Sequence, residues 1–378
     1  MDYDMLLKGG HVIDPKNDVD GSADVGIKDG VIAAVGADLE GEATKTVDLS
    51  GHYITPGLID IHLHAYGRFF AWLYPDQHCL PYGVTTCVDT GSAGWQHFPD
   101  FVDTVIAGAK TRVLAFINIV GAGMAGACEQ DISEMAPEPC ADMIRQYPEH
   151  VVGSKSAHYG GPGWEAAQGG IDVARMADTI TMIDFAPRET RTYEELLTER
   201  MAPGDIHTHL YASHIPLLDE EKKINDYVWK ARERGVIFDT GHGGGSFWFR
   251  IAVPAMQQGF QPDTISTDLH RSSRMRPDAT MTPTMSKFLA MGMPLQEVVY
   301  RSTQKPAKVI RRTELGHLSV GAVADVAVLE LCDGAYGFVD SGRARINGTQ
   351  KLECRMTVRA GEVVWDQYGK SCPLWEDA

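Results

Sequence analysis

The chain has 378 residues, of which 44% are hydrophobic and 22% are charged. These proportions exclude a disordered, collagen-like or coiled-coil protein and predict a folded chain with a large core. The formal net charge of −17 argues against binding to nucleic acid or to an acidic membrane surface. No apolar run is long enough to span a membrane, the N-terminus lacks a signal-peptide pattern, and the seven cysteines form no C-x-x-C pair. We therefore expect a reducing, cytoplasmic location.

Both ends of the chain contain short strands joined by tight turns. Alternating apolar runs flank Asp29-Gly30 near the N-terminus and Gly361 near the C-terminus, which is typical of β-hairpins. Long helical periodicity is missing from both end segments. We predict one small β-sandwich domain built from residues 1–55 and 317–378, with two independent β caps as the alternative.

Between these ends, residues 56–316 alternate short apolar runs with longer segments of helical periodicity. Eight strands that are each followed by a helix make a (β/α)8 TIM barrel, whose active site lies at the carboxyl ends of the strands. The eight apolar runs are residues 58–64, 84–89, 113–119, 151–155, 180–185, 205–210, 236–240 and 264–268. The long segment 121–140 is either a lid near the barrel mouth or a surface excursion.

The first run, with its preceding turn, reads P-G-L-I-D-I-H-L-H over residues 56–64. Because side chains alternate along a strand, Asp60, His62 and His64 are expected to share the face that points into the barrel. The apolar residues on the other face are expected to pack against the outer helices, and these are Ile59, Ile61 and Leu63. Two neutral imidazoles at a strand end are natural ligands for zinc or a similar metal.

With this motif the chain resembles the amidohydrolase superfamily. It is most similar to the dihydroorotase-like deacetylase branch, which contains hydrolases of acetylated hydroxy acids and related small molecules. Four further motifs carry the resemblance: G-V-T-T at 83–86, D-T-G-S-A-G at 89–94, G-H-G-G-G-S-F at 241–247 and S-T-D-L-H at 266–270. The resemblance covers essentially the whole chain. It implies one or two divalent metal ions at the barrel mouth, with zinc expected and manganese as the alternative.

The resemblance also implies which residues bind the metals, at the ends of strands one, four, five, six and eight. These ligands are His62, His64, Lys155, Asp184, His209 and Asp268. An ammonium group has no lone pair, so Lys155 would bind as a carbamate in a binuclear centre; a lysine paired with an acid is the alternative. Relatives place a histidine where Asp184 stands. Either Asp184 is a ligand, or it orients a neighbour and the second metal is weak or absent, or strand five is misplaced.

Two residues at strand ends receive further roles from this resemblance. Asp268 is expected to take the proton from the metal-bound water as a general base and to return it as a general acid. On strand six the family's threonine–histidine pair falls on Thr208-His209. His207 then lies one pleat deeper, and we expect a hydrogen-bonded core histidine there.

Residues near the predicted mouth are candidates for substrate binding, and these are His242, Tyr159, His270 and Arg271. Arginines 271, 274 and 276 form a basic cluster after strand eight of an acidic chain, which favours a substrate with a carboxylate. A charged surface loop is the alternative for the cluster. A tight structural turn is the alternative for His242.

The sequence therefore predicts a metal-dependent hydrolase that cleaves a small amide or ester by attack of metal-bound hydroxide. Its substrate is predicted to be acylated and to bear a carboxylate. One alternative is a mononuclear deacetylase or cyclic-amide hydrolase. Another is a catalytically silent barrel that binds a ligand or a partner. A small-molecule substrate is the expected partner, without nucleic acid or membrane, and the sequence is compatible with a homo-oligomer.

Overall fold

The computed structural model describes residues 2–67, 73–156, 158–275 and 277–376. The chain begins with five strands, β1 (Tyr3–Asp14), β2 (Val19–Lys28), β3 (Val31–Gly36), β4 (Ala43–Asp48) and β5 (Tyr53–Pro56). The left-handed backbone of Asp29 and Gly30, with φ of 49° and 76°, makes the predicted hairpin turn between β2 and β3.

Seven strands of the described chain then form one parallel sheet in chain order. They are β6 (Leu58–Leu63), β7 (Val84–Gly94), β8 (Arg112–Asn118), β9 (Val151–Lys155), β10 (Ile180–Ile183), β11 (Ile206–His207) and β12 (Ile237–Phe238). Each strand falls within or overlaps one of the first seven predicted runs. The predicted parallel strands are therefore confirmed up to β12.

Helices lie between and after these strands. They are α1 (Pro75–Cys79), α2 (Phe98–Phe101), α3 (Pro137–Gln146), α4 (Glu165–Met176), α5 (Tyr193–Glu195), α6 (Asp226–Glu233), α7 (Phe249–Gln257), α8 (Met281–Ala290), α9 (Leu295–Tyr300) and α10 (Gln304–Val309). In the part of the chain that the structure describes, no helix has the length and apolarity needed to cross a membrane.

The eighth predicted run, residues 264–268, forms isolated bridges instead of a continuous strand. Thr264 pairs with Asp239 after β12, and Leu269 pairs with Leu63 at the end of β6. The left-handed backbone at Asp268, with φ of 45°, interrupts extended pairing at this point. The segment nevertheless contacts both edges of the parallel sheet.

Three C-terminal strands, β13 (Val326–Val339), β14 (Arg345–Arg359) and β15 (Glu362–Asp366), join β1–β5 in one mixed sheet. Antiparallel pairing of β13 with β5 confirms that both chain ends build one unit and excludes two independent caps. Hydrogen bonds link all eight strands into a single sheet, so the predicted pair of stacked sheets is replaced by one sheet. Residues of β1, β2, β5, β13 and β14 share one buried cluster, so this sheet folds over its own core. The exact domain boundaries stay a prediction.

Ile59 and Ile61 belong to a buried cluster that contains residues of the neighbouring parallel strands, such as Phe116, and of α10, such as Ala307. Leu63 belongs to a different buried cluster, which contains residues of other helices. Pairing of β6 with β7 shifts register twice, and these irregularities break the simple alternation of side chains along the strand.

Candidate active site

A cavity of about 550 Å³ lies at the carboxyl ends of the parallel strands. The residues that line it follow β9, β10, β11 and β12 and the bridging segment 264–269. They include His158, Asp184, His209, Ser246, Asp268 and His270. The structure therefore brings residues from distant parts of the sequence to the mouth that the barrel pattern predicted.

Three predicted ligands, His62, His64 and Asp268, form a compact buried group. One ligand atom from each lies within 4.8 Å of the others. The Oδ1 atom of Asp268 is 3.1 Å from His64 Nε2 and 3.5 Å from His62 Nε2. Two ligand atoms on one tetrahedral zinc ion lie about 3.3 Å apart, given zinc–ligand distances of about 2.0–2.1 Å. The spacing within this group thus fits a divalent cation.

The hydrogen bonds of His62 give a second and independent test of that fit. The Thr208 hydroxyl donates to Asp239 Oδ2 at 2.8 Å, so it accepts from His62 Nδ1, which is 2.9 Å away. The Nε2 lone pair of His62 therefore faces the group, and this buried atom has no hydrogen-bond partner among the residues that the structure describes. Burial lowers the pKa of His62 to about 4, which keeps the imidazole neutral. A neutral imidazole whose buried lone pair accepts no hydrogen bond is well suited to bind a metal ion.

Asp268 is held against the glycine-rich motif that follows β12. A Cβ atom on Gly243 would lie 2.0 Å from Asp268 Oδ2, and the φ of Gly243 is +51°. Only glycine fits there, so this part of the motif serves the approach of Asp268. Burial acts to raise the pKa of Asp268, but the imidazoles of His62, His64 and His209 outweigh it. The pKa lies well below its ordinary range, and Asp268 is ionised.

The other predicted ligands, Lys155, Asp184 and His209, meet at the end of β10. Asp184 Oδ2 lies 3.3 Å from His209 Nε2 and 3.7 Å from Lys155 Nζ. His209 Nδ1 is 2.7 Å from the Gly241 carbonyl and donates to it, which leaves Nε2 to face Asp184. Because β10 ends at Ile183, the predicted position of strand five is confirmed, and Asp184 directly follows it.

His158 is a fourth member of this second group, and its role was not foreseen. Its Nε2 atom lies 2.8 Å from Asp184 Oδ2, and its Nδ1 atom lies 2.9 Å from Glu129 Oε2. Burial acts to lower the pKa of His158, but Asp184 and Glu129 outweigh it and raise the pKa to about 10. His158 is therefore an imidazolium that donates to both carboxylates. Glu129 lies in the long segment 121–140, which thus reaches the mouth.

Asp184 is consequently surrounded by nitrogen atoms. Burial acts to raise its pKa, but His209, His158 and Lys155 hold the pKa well below the ordinary range. The 3.3 Å separation from His209 fits two ligands of one metal, whereas the 2.8 Å separation from His158 is that of a hydrogen bond. In this arrangement Lys155 forms an ion pair with Asp184, and His158 lies behind Asp184.

The residues predicted to bind substrate lie in different places. His270 lines the main cavity, and Tyr159 lines a smaller cavity beside it. Arg271 is exposed and lies outside both linings. Arg274 is also exposed, and Arg276 lies outside the described residues.

His242 is fully buried and does not line the main cavity. Its Nδ1 atom is 2.9 Å from the Gly243 carbonyl, and its Nε2 atom accepts from Lys287 Nζ at 2.7 Å. The ring also stacks on Phe247 with 4.6 Å between ring centres. This geometry favours the alternative of a structural turn. Sequence reasoning missed Lys287, whose only signal is a charge within the apolar stretch of α8.

His207 is a core residue, as expected, but its predicted hydrogen bonds are missing. Both ring nitrogens lack a partner among the described residues. The ring packs 5.0 Å from that of Tyr193, on the helix side of β11. Burial lowers the pKa of His207 to about 3, so the ring is neutral. It lies apart from both ligand groups.

Comparison with known proteins agrees with this geometry. Residues 267–365 match the model of the amidohydrolase family. A deacetylase of Agrobacterium fabrum is 34% identical over 353 residues, which are 89% of this chain and 85% of the relative. A crystal structure of an adenine deaminase has a TM-score of 0.89 at 29% identity and covers 97% of this chain and 100% of its own. A crystal structure of a dihydroorotase has a TM-score of 0.85 at 31% identity, covering 96% and 99%.

These similarities extend over nearly the whole chain, and both sheets lie within them. The buried His62–His64–Asp268 group shows that the chain also carries residues suited to the family's divalent metal ions. This chain belongs to the amidohydrolase family, and it is a hydrolase.

Proposed function

We propose that the chain is a metal-dependent deacetylase that cleaves a small amide or ester bond in an acylated substrate with a carboxylate. The observation that carries this proposal is the unpartnered Nε2 lone pair of His62, which is buried and faces His64 and Asp268 beneath the cavity. The similarity to a deacetylase over 89% of the chain supports the type of reaction.

The proposed ligands fall into two sets. His62, His64 and Asp268 would hold one divalent ion, and Lys155, Asp184 and His209 would hold a second, with Lys155 as a carbamate. A bound divalent ion lowers the pKa of a coordinated water to about 7, which supplies a nucleophile at neutral pH. The imidazoles suit zinc, whereas the additional carboxylate at position 184 makes manganese an alternative.

Asp268 is the proposed general base and acid. Its Oδ1 atom faces the imidazoles of His62 and His64, while Oδ2 lies beside Gly243. The low pKa keeps the carboxylate ionised at neutral pH, so its oxygen atoms are free of a proton before the reaction. Once protonated, the same group can donate to the departing nitrogen or oxygen.

The proposal extends to the architecture. The segment 264–269 bridges to both edges of the parallel sheet, which supports a closed (β/α)8 barrel. We place the barrel at residues 56–316 and the mixed-sheet domain at residues 1–55 and 317–378. A cytoplasmic protein with a small-molecule substrate and no nucleic-acid or membrane partner is in keeping with the charge of −17.

Hydrolysis by the purified chain tests this function. Matched acetyl amides and acetyl esters would be assayed with and without a carboxylate, next to dihydroorotate and adenine. We expect acetyl hydrolysis that a chelator abolishes and zinc or manganese restores. Turnover of dihydroorotate alone would favour the cyclic-amide alternative, which the similarity to a dihydroorotase structure motivates. A metal-loaded chain that is inert toward every compound would contradict a catalytic role.

A further inference from the structure

A side pocket of about 260 Å³ opens from the main cavity. It shares His158, Asp184 and His214 with the main cavity, so the two spaces are continuous. The remaining walls come from residues 159–160, the start of α4 and residues 185–191. The side pocket thus lies on the strand-five side of the mouth, away from the basic cluster that the sequence singled out.

Two arginines give the side pocket its charge. Arg188 is exposed, whereas Arg191 is 2% exposed. Arg191 donates to the Gly163 carbonyl at 3.0 Å and to the Tyr159 carbonyl at 2.6 Å, and its Nε atom has no partner. Neither arginine forms an ion pair among the residues that the structure describes. Buried cations are normally paired, but Arg191 is held by carbonyl oxygens, and its charge is offset only at longer range by Glu165, which acts to raise its pKa.

The acid in the pocket lining does not neutralise the arginines. Asp184 is already engaged by His158, His209 and Lys155. Arg188 and Arg191 instead repel each other, and after burial this repulsion is a cause of the lowered pKa of Arg191. An anion placed between them would relieve that repulsion.

Apart from the two histidines that it shares with the main cavity, the rest of the lining is largely apolar. The guanidinium of Arg191 lies 5.5 Å from the ring centres of both Tyr159 and Phe185. Phe185 in turn stacks on Trp164 with 5.5 Å between ring centres. Two alanines at the start of α4, Ala166 and Ala167, leave the space open. The pocket therefore suits a compact apolar group that ends in a carboxylate.

We propose that this side pocket binds the carboxylate-bearing end of the substrate, with Arg188 in direct contact and Arg191 as the fixed charge behind it. This inference rests on the proposed function and adds where the carboxylate is recognised. It takes the place of Arg271, since Arg188 lines the side pocket and Arg271 lines neither cavity. The acyl bond would then extend from the side pocket into the main cavity.

Binding of benzoate and benzamide to the metal-loaded enzyme, measured by calorimetry, tests the side pocket. The two probes have nearly the same shape, and only benzoate is an anion. We expect benzoate to bind about tenfold more tightly than benzamide, since a hydrogen bond to a charged group contributes that much. In Arg188→Gln the preference should fall to about twofold or less, while benzamide affinity stays unchanged. Unchanged benzamide affinity shows that the variant is folded.

Arg271→Gln is the matched control, because it removes an exposed arginine on the other side of the mouth. We expect it to keep the full preference for benzoate. Arg191→Lys, which retains the charge in a chain that still folds, should keep most of it. Equal affinities for the two probes in the wild type would overturn the proposal. A preference for benzoate that survives Arg188→Gln would also overturn it, because benzoate bound to the metal alone would give that result. Loss of the preference in Arg271→Gln would overturn it as well.

This measurement separates the side pocket from the proposed function. Hydrolysis of neutral and acidic acetyl substrates at equal kcat/KM would leave metal-dependent deacetylation standing, but it would remove both the preference for a carboxylate and the role of the side pocket. Absence of any hydrolysis together with an Arg188-dependent preference for benzoate would remove the function and leave the pocket.

Discussion

The two sides of the active-site mouth are built on different principles. On the side of β6 and the segment 264–269, His62, His64 and Asp268 leave a buried lone pair unused. On the side of β9 and β10, one oxygen of Asp184 is shared by the nitrogens of three residues. The first side is thus prepared for a cation, whereas the second is already close to charge balance within the protein.

This difference shows how the protein accommodates the carboxylate of Asp184 at the position where the resemblance implies a histidine. Asp184 adds a negative charge to the site, and the imidazolium of His158 compensates for it from the neighbouring loop. Glu129 fixes that imidazolium from behind. The substitution at position 184 is therefore accompanied by a local network instead of standing alone.

The largest expected effect comes from a substitution on the side of the mouth that contains His62, His64 and Asp268. Asp268→Asn removes the proton acceptor, and we expect turnover to fall by about 10³-fold or more. Mass-spectrometric metal analysis should still find metal, because His62 and His64 remain. Near-normal turnover in this variant would show that the two sides have been assigned the wrong roles.

Asp184→Asn tests the other side of the mouth, at the ends of β9 and β10. It leaves Lys155, His158 and His209 without their shared anion, and we expect turnover to fall by about 10²-fold with loss of up to one metal ion per chain. Metal content measured with and without bicarbonate shows whether Lys155 binds as a carbamate. Wild-type metal content and activity in this variant would contradict any role of Asp184 at the centre.

Glu129→Gln tests the contact that holds His158 behind Asp184, and its expected effect is smaller. The change keeps the shape of the side chain but removes the charge that holds His158, and supporting groups of this kind alter metal affinity about tenfold. Competition with a chromogenic chelator would measure the loss. Glu138→Gln, in the same segment but exposed, is the control and should bind metal like the wild type.

Lys287→Met tests the buried lysine that contacts His242 in the glycine-rich motif, and the measured quantity is the free energy of unfolding. Burial lowers the pKa of Lys287 from 10.5 to about 7, so between these values the unfolded chain binds more protons than the native chain. Stability of the wild type therefore rises with pH across this window, relative to the variant. We expect a relative gain on the order of 2 kcal/mol in the free energy of unfolding from pH 7 to pH 9. Denaturant titrations that change in parallel for both proteins would rule out the shifted pKa.

The sequence predicts well what lies within one strand or motif. The H-x-H pair, Lys155, His209 and Asp268 each sit at the end of an apolar run, and the parallel strands converge them at one end of the sheet. Pairings between distant loops have no such signal. Glu129 and His158, or Lys287 and His242, meet only because of the packed fold.

Local irregularities also escape a pattern based on alternation. The pairing of β6 with β7 shifts register twice, and nothing in the residue types indicates where these shifts fall. Arg191 is an ordinary arginine in sequence, and its lack of an acidic partner appears only when its surroundings are known. The site could thus be located from the sequence, while its supporting contacts required coordinates.

The mixed sheet joins residues far apart in the chain, since Thr55 donates to the carbonyl of Ala327 over a separation of 272 residues. At a synthesis rate of about 5–20 residues per second, β5 leaves the ribosome roughly 15–50 s before its partner β13 exists. After β13, the Ser341 hydroxyl accepts a hydrogen bond from the backbone N–H of Phe247 in the glycine-rich motif at 3.1 Å, and the backbone N–H of Ser341 donates to the Phe247 carbonyl at 2.9 Å. The active-site mouth is therefore completed only late in translation. A nascent chain stalled before residue 341 would contain the proposed metal-binding residues but would lack this contact with the glycine-rich motif.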